Sequence, residues 1–143
     1  MTESHISISL RHQVSVRARY QCEYCLIQQR LAGIKLTIDH IVPESLGGMT
    51  DLDNLCLACW DCNQIKGNRI EGIDPESGER VRLFNPVKQR WQDHFRWENK
   101  DLVIMGTTSI GRVTVLVMKL NRASLFEARS YWIRAGWHPP KDE

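Results

Sequence analysis

The sequence lacks a long apolar run, a strong excess of charge and a recognisable leader. Its longest apolar run, residues 113–118, lies between Arg112 and Lys119, far short of the roughly 20 residues that a membrane-spanning helix needs. The chain carries 19 Lys and Arg against 17 Asp and Glu, a formal charge of +2, which argues against a strongly basic nucleic-acid-binding domain. Residues 1–10 contain no basic segment followed by an apolar core, so we expect a cytoplasmic, reducing location. At 143 residues and 42% hydrophobic content, the chain is typical of a single globular domain.

Disulfides are also unexpected, because the five cysteines are odd in number and no secretion signal accompanies them. Cys22 and Cys25 form one Cys-x-x-Cys pair, and Cys59 and Cys62 form another. Two such pairs are typical of a tetrahedral zinc site. Five small buried hydrophobes and a redox pair are the alternatives, and the chain lacks the βαβ pattern of a redox fold. Cys56 also has ligand spacing to Cys59, but its apolar neighbours favour a buried neutral thiol.

Hydrophobic periodicity and turn residues predict a metal-organised front half and an α+β back half without a clear linker. Apolar spacing predicts helices at 109–120 and at 122–135, the second ending at Gly136. The predicted elements in the rest of the chain are a helix at 9–20, a strand at 36–42, a short helix at 60–69, a hairpin between Ile73 and residues 81–84, a helix from Asn85 through about Trp91, and a strand at 101–105.

Polar residues suited to phosphodiester hydrolysis lie between and beside the cysteine pairs. Asp39 and His40 open the segment DHIVPESLGG, Asn54 follows fourteen residues after the histidine, and Asn63 comes directly after Cys62. A histidine can take a proton from water. A divalent ion held by a carboxylate and an amide can stabilise the charge on a leaving oxygen. Neighbours on a strand face opposite sides, so Asp39 and His40 share one site only if the strand bends or the metal lies at its end.

The combined pattern resembles the HNH endonuclease family, in the subset that carries a four-cysteine zinc site. The matching text is Cys22-x-x-Cys25, Asp39-His40-Ile41-x-Pro43-x-Ser45-x-Gly47-Gly48, Asn54-Leu55 and Cys59-x-x-Cys62-Asn63-x-x-Lys66-Gly67. The resemblance implies an α+β fold with a small ββα-metal, treble-clef-like core and a structural zinc. It implies one HNH nuclease domain over 1–143, with the motif core at 22–70 and a C-terminal α+β extension at about 71–143.

The resemblance also implies a role for each matching residue. It makes His40 the general base and Asn54 the residue that holds the loop and orients the histidine. It makes Asp39 and Asn63 the ligands of a catalytic Mg²⁺, Mn²⁺ or Ni²⁺, and Cys22, Cys25, Cys59 and Cys62 the ligands of Zn²⁺. The family often has histidine where this chain has Asn63, and an amide cannot donate a proton to the leaving oxygen. The implied partner is nucleic acid, most simply double-stranded DNA, with no membrane; oligomeric state and target sequence stay open.

Structural readings compete with these roles. Asp39 could cap a strand end, His40 could be a hydrogen-bonded core histidine, Asn54 a turn residue and Asn63 a helix cap. Lys66 could be a solvated helix residue or a phosphate contact. The competing functions are a non-catalytic treble-clef zinc module that binds nucleic acid or protein, and a redox or zinc-sensing protein. His94, between Trp91 and Trp97, is a further histidine whose role the sequence leaves open.

The near-zero net charge is unevenly distributed. Residues 36–65 contain five acidic residues and no Lys or Arg, whereas residues 66–100 contain eight Lys and Arg against six acids. The first 35 residues contain five against two. An acidic metal-binding core with mildly basic flanks predicts modest, salt-sensitive and largely sequence-independent contact with DNA.

Overall fold

The computed structural model describes residues 6–141, which form two compact units. The first comprises the described residues up to Ile70 together with Asn85–Lys88, and the second comprises Glu71–Phe84 and the described residues from Gln89. The organisation of these units as one domain stays a prediction. None of the described helices is both long enough and apolar enough to cross a membrane.

The first unit is built on a β-hairpin followed by a helix. Helix α1 (Ile8–Arg17) begins at Ser7, whose hydroxyl accepts the Leu10 amide, and a four-residue helix α2 (Gln29–Ala32) follows. Strands β1 (Thr37–His40) and β2 (Leu55–Ala58) pair antiparallel, with Thr37 opposite Ala58 and His40 opposite Leu55, and helix α3 (Trp60–Lys66) comes next. The ββα core that the sequence predicted is therefore confirmed.

Apolar residues of α1 and β2 form the core of this unit. Val14 on α1 is fully buried and clusters with Ile6, Leu55 and Leu57. Burial of such side chains is worth about 1.5–3 kcal/mol each. Arg17 ties the same two elements together, because its guanidinium donates to the backbone oxygens of Leu52 and Leu55.

Two glycines shape the loop that joins β1 to β2. Gly47 ends a 3₁₀ turn at Glu44–Leu46 with a φ of +89°, a left-handed conformation that favours glycine. Gly48 is needed for a different reason: a Cβ there would lie 1.7 Å from the Val42 carbonyl oxygen. The Gly-Gly pair of the motif thus brings the far end of the loop back against the segment that follows His40.

The described part of the second unit contains two hairpins and three helices, one of which is a single turn. Strands β3 (Glu71–Ile73) and β4 (Arg80–Arg82) form one hairpin, and β5 (Phe95–Glu98) and β6 (Val103–Gly106) form the other. A one-turn helix α4 (Trp91–His94) leads into β5, and helices α5 (Ser109–Met118) and α6 (Ala123–Ala135) complete the unit. This is the α+β extension that the sequence predicted.

The predicted elements are confirmed with shifted ends, except for the helix from Asn85 through about Trp91. That prediction is wrong: residues 86–89 form turns, and helix α4 begins only at Trp91. The reason is local, because the Asn85 side-chain oxygen accepts the amides of Val87 and Lys88 and stabilises a turn in place of a helix. Strand β5 was not among the predicted elements.

Candidate metal centre and catalytic cleft

The four predicted cysteine ligands meet at one buried point. Their sulfur atoms lie within 4.8 Å of one another, and all four residues are buried free thiols. The first pair lies in a tight turn closed by hydrogen bonds between Cys22 and Ile27 and from Leu26 to Cys22, and the second pair begins α3. The sequence prediction of which cysteines cluster is confirmed.

The geometry of this cluster fits a metal ion. A tetrahedral ion bound at about 2.3 Å to each thiolate separates the sulfurs by about 3.8 Å, and Cys25 Sγ lies 3.8 Å from Cys59 Sγ. Burial raises the pKa of Cys22, whereas hydrogen bonds from Cys22, Cys25 and Cys62 lower the pKa of Cys59. Each cysteine binds a metal ion as the thiolate, so binding of an ion to this cluster releases protons.

Cys56 lies outside the cluster, on β2. It is fully buried, and its sulfur lies 3.5 Å from the Tyr24 hydroxyl and 3.7 Å from Asp39 Oδ2. Burial raises the pKa of this thiol well above its ordinary value. Cys56 is therefore a neutral buried thiol, as the sequence indicated.

Asp39 forms a buried ion pair with Lys66. The Lys66 ammonium nitrogen lies 3.2 Å from Asp39 Oδ2, and the two side chains are 2% and 5% exposed. The Tyr24 hydroxyl donates to the same carboxylate oxygen at 3.0 Å. Burial raises the pKa of Asp39, while the charge and hydrogen bond of Lys66 lower it. The carboxylate is thus already matched with a cation and a hydroxyl of this chain.

His40 lies at the end of β1, beside the loop. Its Nε2 lies 2.9 Å from Thr50 Oγ1 and 3.9 Å from Glu44 Oε1, and its side chain is 16% exposed. The Lys66 ammonium donates to the His40 carbonyl oxygen at 3.0 Å. Lys66 thereby holds the side chain of Asp39 and the backbone of His40.

Asn54 closes the loop that carries His40. Its amide oxygen accepts the Val42 backbone amide at 2.9 Å, and its amide nitrogen donates to the carbonyls of Val42 and Met49 at 3.0 and 2.8 Å. The Ile41 amide donates to the Asn54 carbonyl at 2.8 Å. One side chain therefore links both ends of the loop immediately after the histidine.

Asn63 lies on α3, where its amide nitrogen donates to the Thr37 hydroxyl at 3.0 Å. An amide oxygen is an acceptor of the type that ligates divalent ions. Asp39, His40 and Asn63 all line one cleft of about 660 Å³. The other lining residues include Arg11, Glu44, Trp60, Gln64 and Asn68.

The residue types at the cleft suit a hard divalent ion, because Asp39 and Asn63, which line the same cleft, carry a carboxylate and an amide. The Lys66 ammonium competes for the carboxylate, since it lies 3.4 Å from Asp39 Oδ1 as well as 3.2 Å from Oδ2. Asp39 and Asn63 therefore offer the kind of ligands that a divalent ion prefers, and an ion bound to Asp39 would share the carboxylate with Lys66.

His94 lies in the second unit and has a structural environment. Its Nδ1 lies 2.7 Å from the Thr108 hydroxyl, which also caps α5, and its ring packs against Phe84 with centroids 5.8 Å apart. These contacts account for the residue without a catalytic role.

Sequence reasoning missed the parts played by Lys66 and Tyr24. Lys66 was read as a solvated or phosphate-binding residue, although its spacing of four residues from Cys62 on a short helix places both on one face. Both are buried. Tyr24 lies between the first two cysteines, and no pattern in the sequence relates it to Asp39.

Comparison with known proteins agrees with this geometry. The family model for the HNH endonuclease matches residues 22–69. The chain is also similar to the Septu protein PtuA of Bacillus mycoides (strain KBAB4), with 28% identity over 135 residues, which cover 77% of this chain. The chain spans only 19% of the length of that relative. No solved structure matches the chain. The segment that holds the cysteine cluster, Asp39, His40 and both asparagines is thus the segment that is similar to the HNH endonuclease family.

Proposed function

We propose that this protein is a metal-dependent endonuclease that hydrolyses phosphodiester bonds of nucleic acid, with double-stranded DNA as the expected substrate and zinc in the four-cysteine cluster. The observation that supports this proposal most directly is that His40, Asp39 and Asn63 line the same cleft. Four thiolates in a closed, buried cluster are typical of structural zinc. The expected location remains the cytoplasm.

In this proposal His40 acts as the general base. In the tautomer that carries the ring proton on Nε2, this N–H donates a hydrogen bond to Thr50 Oγ1. The unprotonated Nδ1 is then the nitrogen that can take a proton from water. The Glu44 carboxylate lies 3.9 Å from Nε2, on the same side of the ring as Thr50. Asn54 is a positioning residue, because it holds the loop through Val42 and Met49.

Asp39 and Asn63 would hold the divalent ion, Mg²⁺ or another ion such as Mn²⁺ or Ni²⁺. When bound, such an ion stabilises negative charge on the leaving oxygen. Asn63 has no proton to give to that oxygen, so the proton has to come from solvent. Lys66 keeps β1 in place by binding the Asp39 carboxylate and the His40 carbonyl.

The test is the nicking of supercoiled plasmid DNA with Mg²⁺, Mn²⁺ or Ni²⁺ added in turn. We expect metal-dependent nicking that is lost in His40→Ala. His12→Ala is the matched control, since His12 is an exposed histidine of α1, and it should cut like the wild type. Nicking by His40→Ala at the wild-type rate would contradict the assignment of the base.

A second candidate function is a treble-clef zinc module that binds nucleic acid or protein without cutting. The observation that favours it is the Asp39–Lys66 ion pair, which engages the carboxylate that the divalent ion needs. DNA binding by the wild type with no cleavage under any of the three metals would support this candidate over the nuclease.

A further inference from the structure

Trp60 differs in its surroundings from three of the other tryptophans. Trp60 is 60% exposed and lines the cleft that contains His40 and Asn63. Trp91, Trp97 and Trp132 all pack against other aromatic rings. Within residues 6–141, no ring contact involves Trp60. A large apolar ring is therefore left open to solvent at the mouth of the proposed active site.

The backbone under this ring is firmly held. Trp60 is the first residue of α3 and follows Cys59 directly, while Cys62 lies two residues further on. Both cysteines belong to the buried metal cluster, and the Cys62 amide donates to Cys59 Sγ. A side chain that is presented from a fixed backbone loses little conformational freedom when it binds a ligand.

The open face of α3 continues from Trp60 with amide side chains. Asn63 and Gln64 line the cleft beside it, at a spacing of three and four residues from Trp60 along α3, and Asn68 lines the cleft just beyond the end of the helix. Arg11 lines the same cleft and carries a charge suited to phosphate. An aromatic face, amides and a guanidinium together match a nucleotide, which offers a flat base, polar base edges and a phosphate.

We propose that Trp60 is a stacking platform for an unpaired nucleobase next to the scissile phosphate, so that the preferred site within double-stranded DNA is a locally unpaired stretch and an isolated single strand binds there as well. The inference rests on the proposed function for the location of the phosphate. Bases in an intact duplex already stack on both neighbours and have no free face for the indole. A cleft of about 660 Å³ falls in the size range of small-ligand sites, which suits one nucleotide better than a duplex.

The test is fluorescence anisotropy with a labelled 12-nucleotide DNA strand and with the same strand in a duplex, in buffer without added divalent ion. Trp60→Leu keeps apolar volume and removes the ring. We expect it to bind the single strand about 5- to 150-fold more weakly and to bind the duplex as the wild type does. Trp60→Phe should recover part of the loss. Trp137→Leu is the matched control at another exposed tryptophan, which is 48% exposed, and it should bind like the wild type.

The zinc content and circular dichroism of each variant are measured to check that the cysteine cluster and the fold are intact. If Trp60→Leu loses zinc, the binding of Trp60→Phe to single strand and duplex is compared with that of the wild type instead. Unchanged binding of the single strand, or equal losses for single strand and duplex, would overturn the proposal. Because anisotropy measures binding alone, Trp60-dependent binding without any plasmid cleavage would refute the nuclease and leave the stacking site standing.

Discussion

Substitution of Lys66 by methionine is the perturbation whose cost the structure determines best. Methionine keeps the apolar stem and removes the ammonium, which leaves the Asp39 carboxylate buried without its cation. At 3.2 Å and an effective dielectric constant of about 20, the lost attraction is about 5 kcal/mol. Removal of one partner of a buried pair typically costs about 3–5 kcal/mol. We therefore expect Lys66→Met to lower the free energy of unfolding by about 3–5 kcal/mol.

The assay is urea unfolding of the zinc-loaded chain, with Asp39→Asn and the double variant as the other corners of a mutant cycle. The double variant should be more stable than Lys66→Met alone, because it no longer buries an unpaired charge. Lys35→Met, at an exposed lysine of the same unit, should change little. A free energy of unfolding for Lys66→Met within about 1 kcal/mol of the wild-type value, the usual net contribution of one hydrogen bond, would refute this expectation.

The same variant tests whether Asp39 binds the divalent ion. In Lys66→Met, a divalent ion that binds Asp39 replaces the missing cation, so millimolar Mg²⁺ or Mn²⁺ should restore part of the lost stability. The restoration should be absent in the double variant, which has no carboxylate at residue 39. An identical unfolding curve of Lys66→Met with and without the ions would argue against Asp39 as a ligand.

Three further predictions concern other parts of the chain. Removal of the cluster metal with a strong chelator should unfold at least the front half of the chain, and a thermal melt that stays unchanged would contradict a structural role. Gly48→Ala should lower the melting temperature more than Gly47→Ala, since its Cβ would overlap the Val42 carbonyl oxygen whereas the Cβ at Gly47 meets open space. The Arg112 guanidinium holds the pKa of Asp74 below its ordinary value, so their pairing stabilises the fold above about pH 4 and is lost as the pH falls further. Acid titration of Asp74→Asn should therefore show a shallower loss of stability than the wild type, and an equal slope would count against the pair.

The sequence predicted those features that depend on local spacing. The cysteine pairs, the strand that begins at Thr37 and the helix that follows Cys59 are set by patterns within a few residues, and each is confirmed. Asn85 illustrates the limit, because its side chain can cap a helix or close a turn and only the observed bonds to Val87 and Lys88 decide. The partnership of Tyr24 with Asp39 depends on how the first cysteine turn folds against β1, which no local pattern encodes.

The alternation of side chains along β1 explains why the site could be predicted only in part. Asp39 and His40 are neighbours, so strand geometry turns their side chains to opposite faces, and Asp39 faces Lys66 and Tyr24 while His40 contacts Thr50 in the loop. Both nevertheless border the cleft, because β1 ends at His40. The sequence motif predicts which residues form the site, whereas the buried lysine that pairs with the Asp39 carboxylate is visible only in the folded chain.

Helix α3 has one buried face and one exposed face, and substitutions on the two faces are expected to have different effects. Cys62 and Lys66 are buried and hold the metal cluster and the Asp39 carboxylate, whereas Trp60 and Gln64 are exposed and line the cleft. Substitutions on the buried face should therefore change the free energy of unfolding first and activity only as a consequence. Substitutions at Trp60 and Gln64 should change binding of nucleic acid while unfolding stays as in the wild type. A loss of stability in Gln64→Ala as large as that in Lys66→Met would show that the two faces of α3 are not independent.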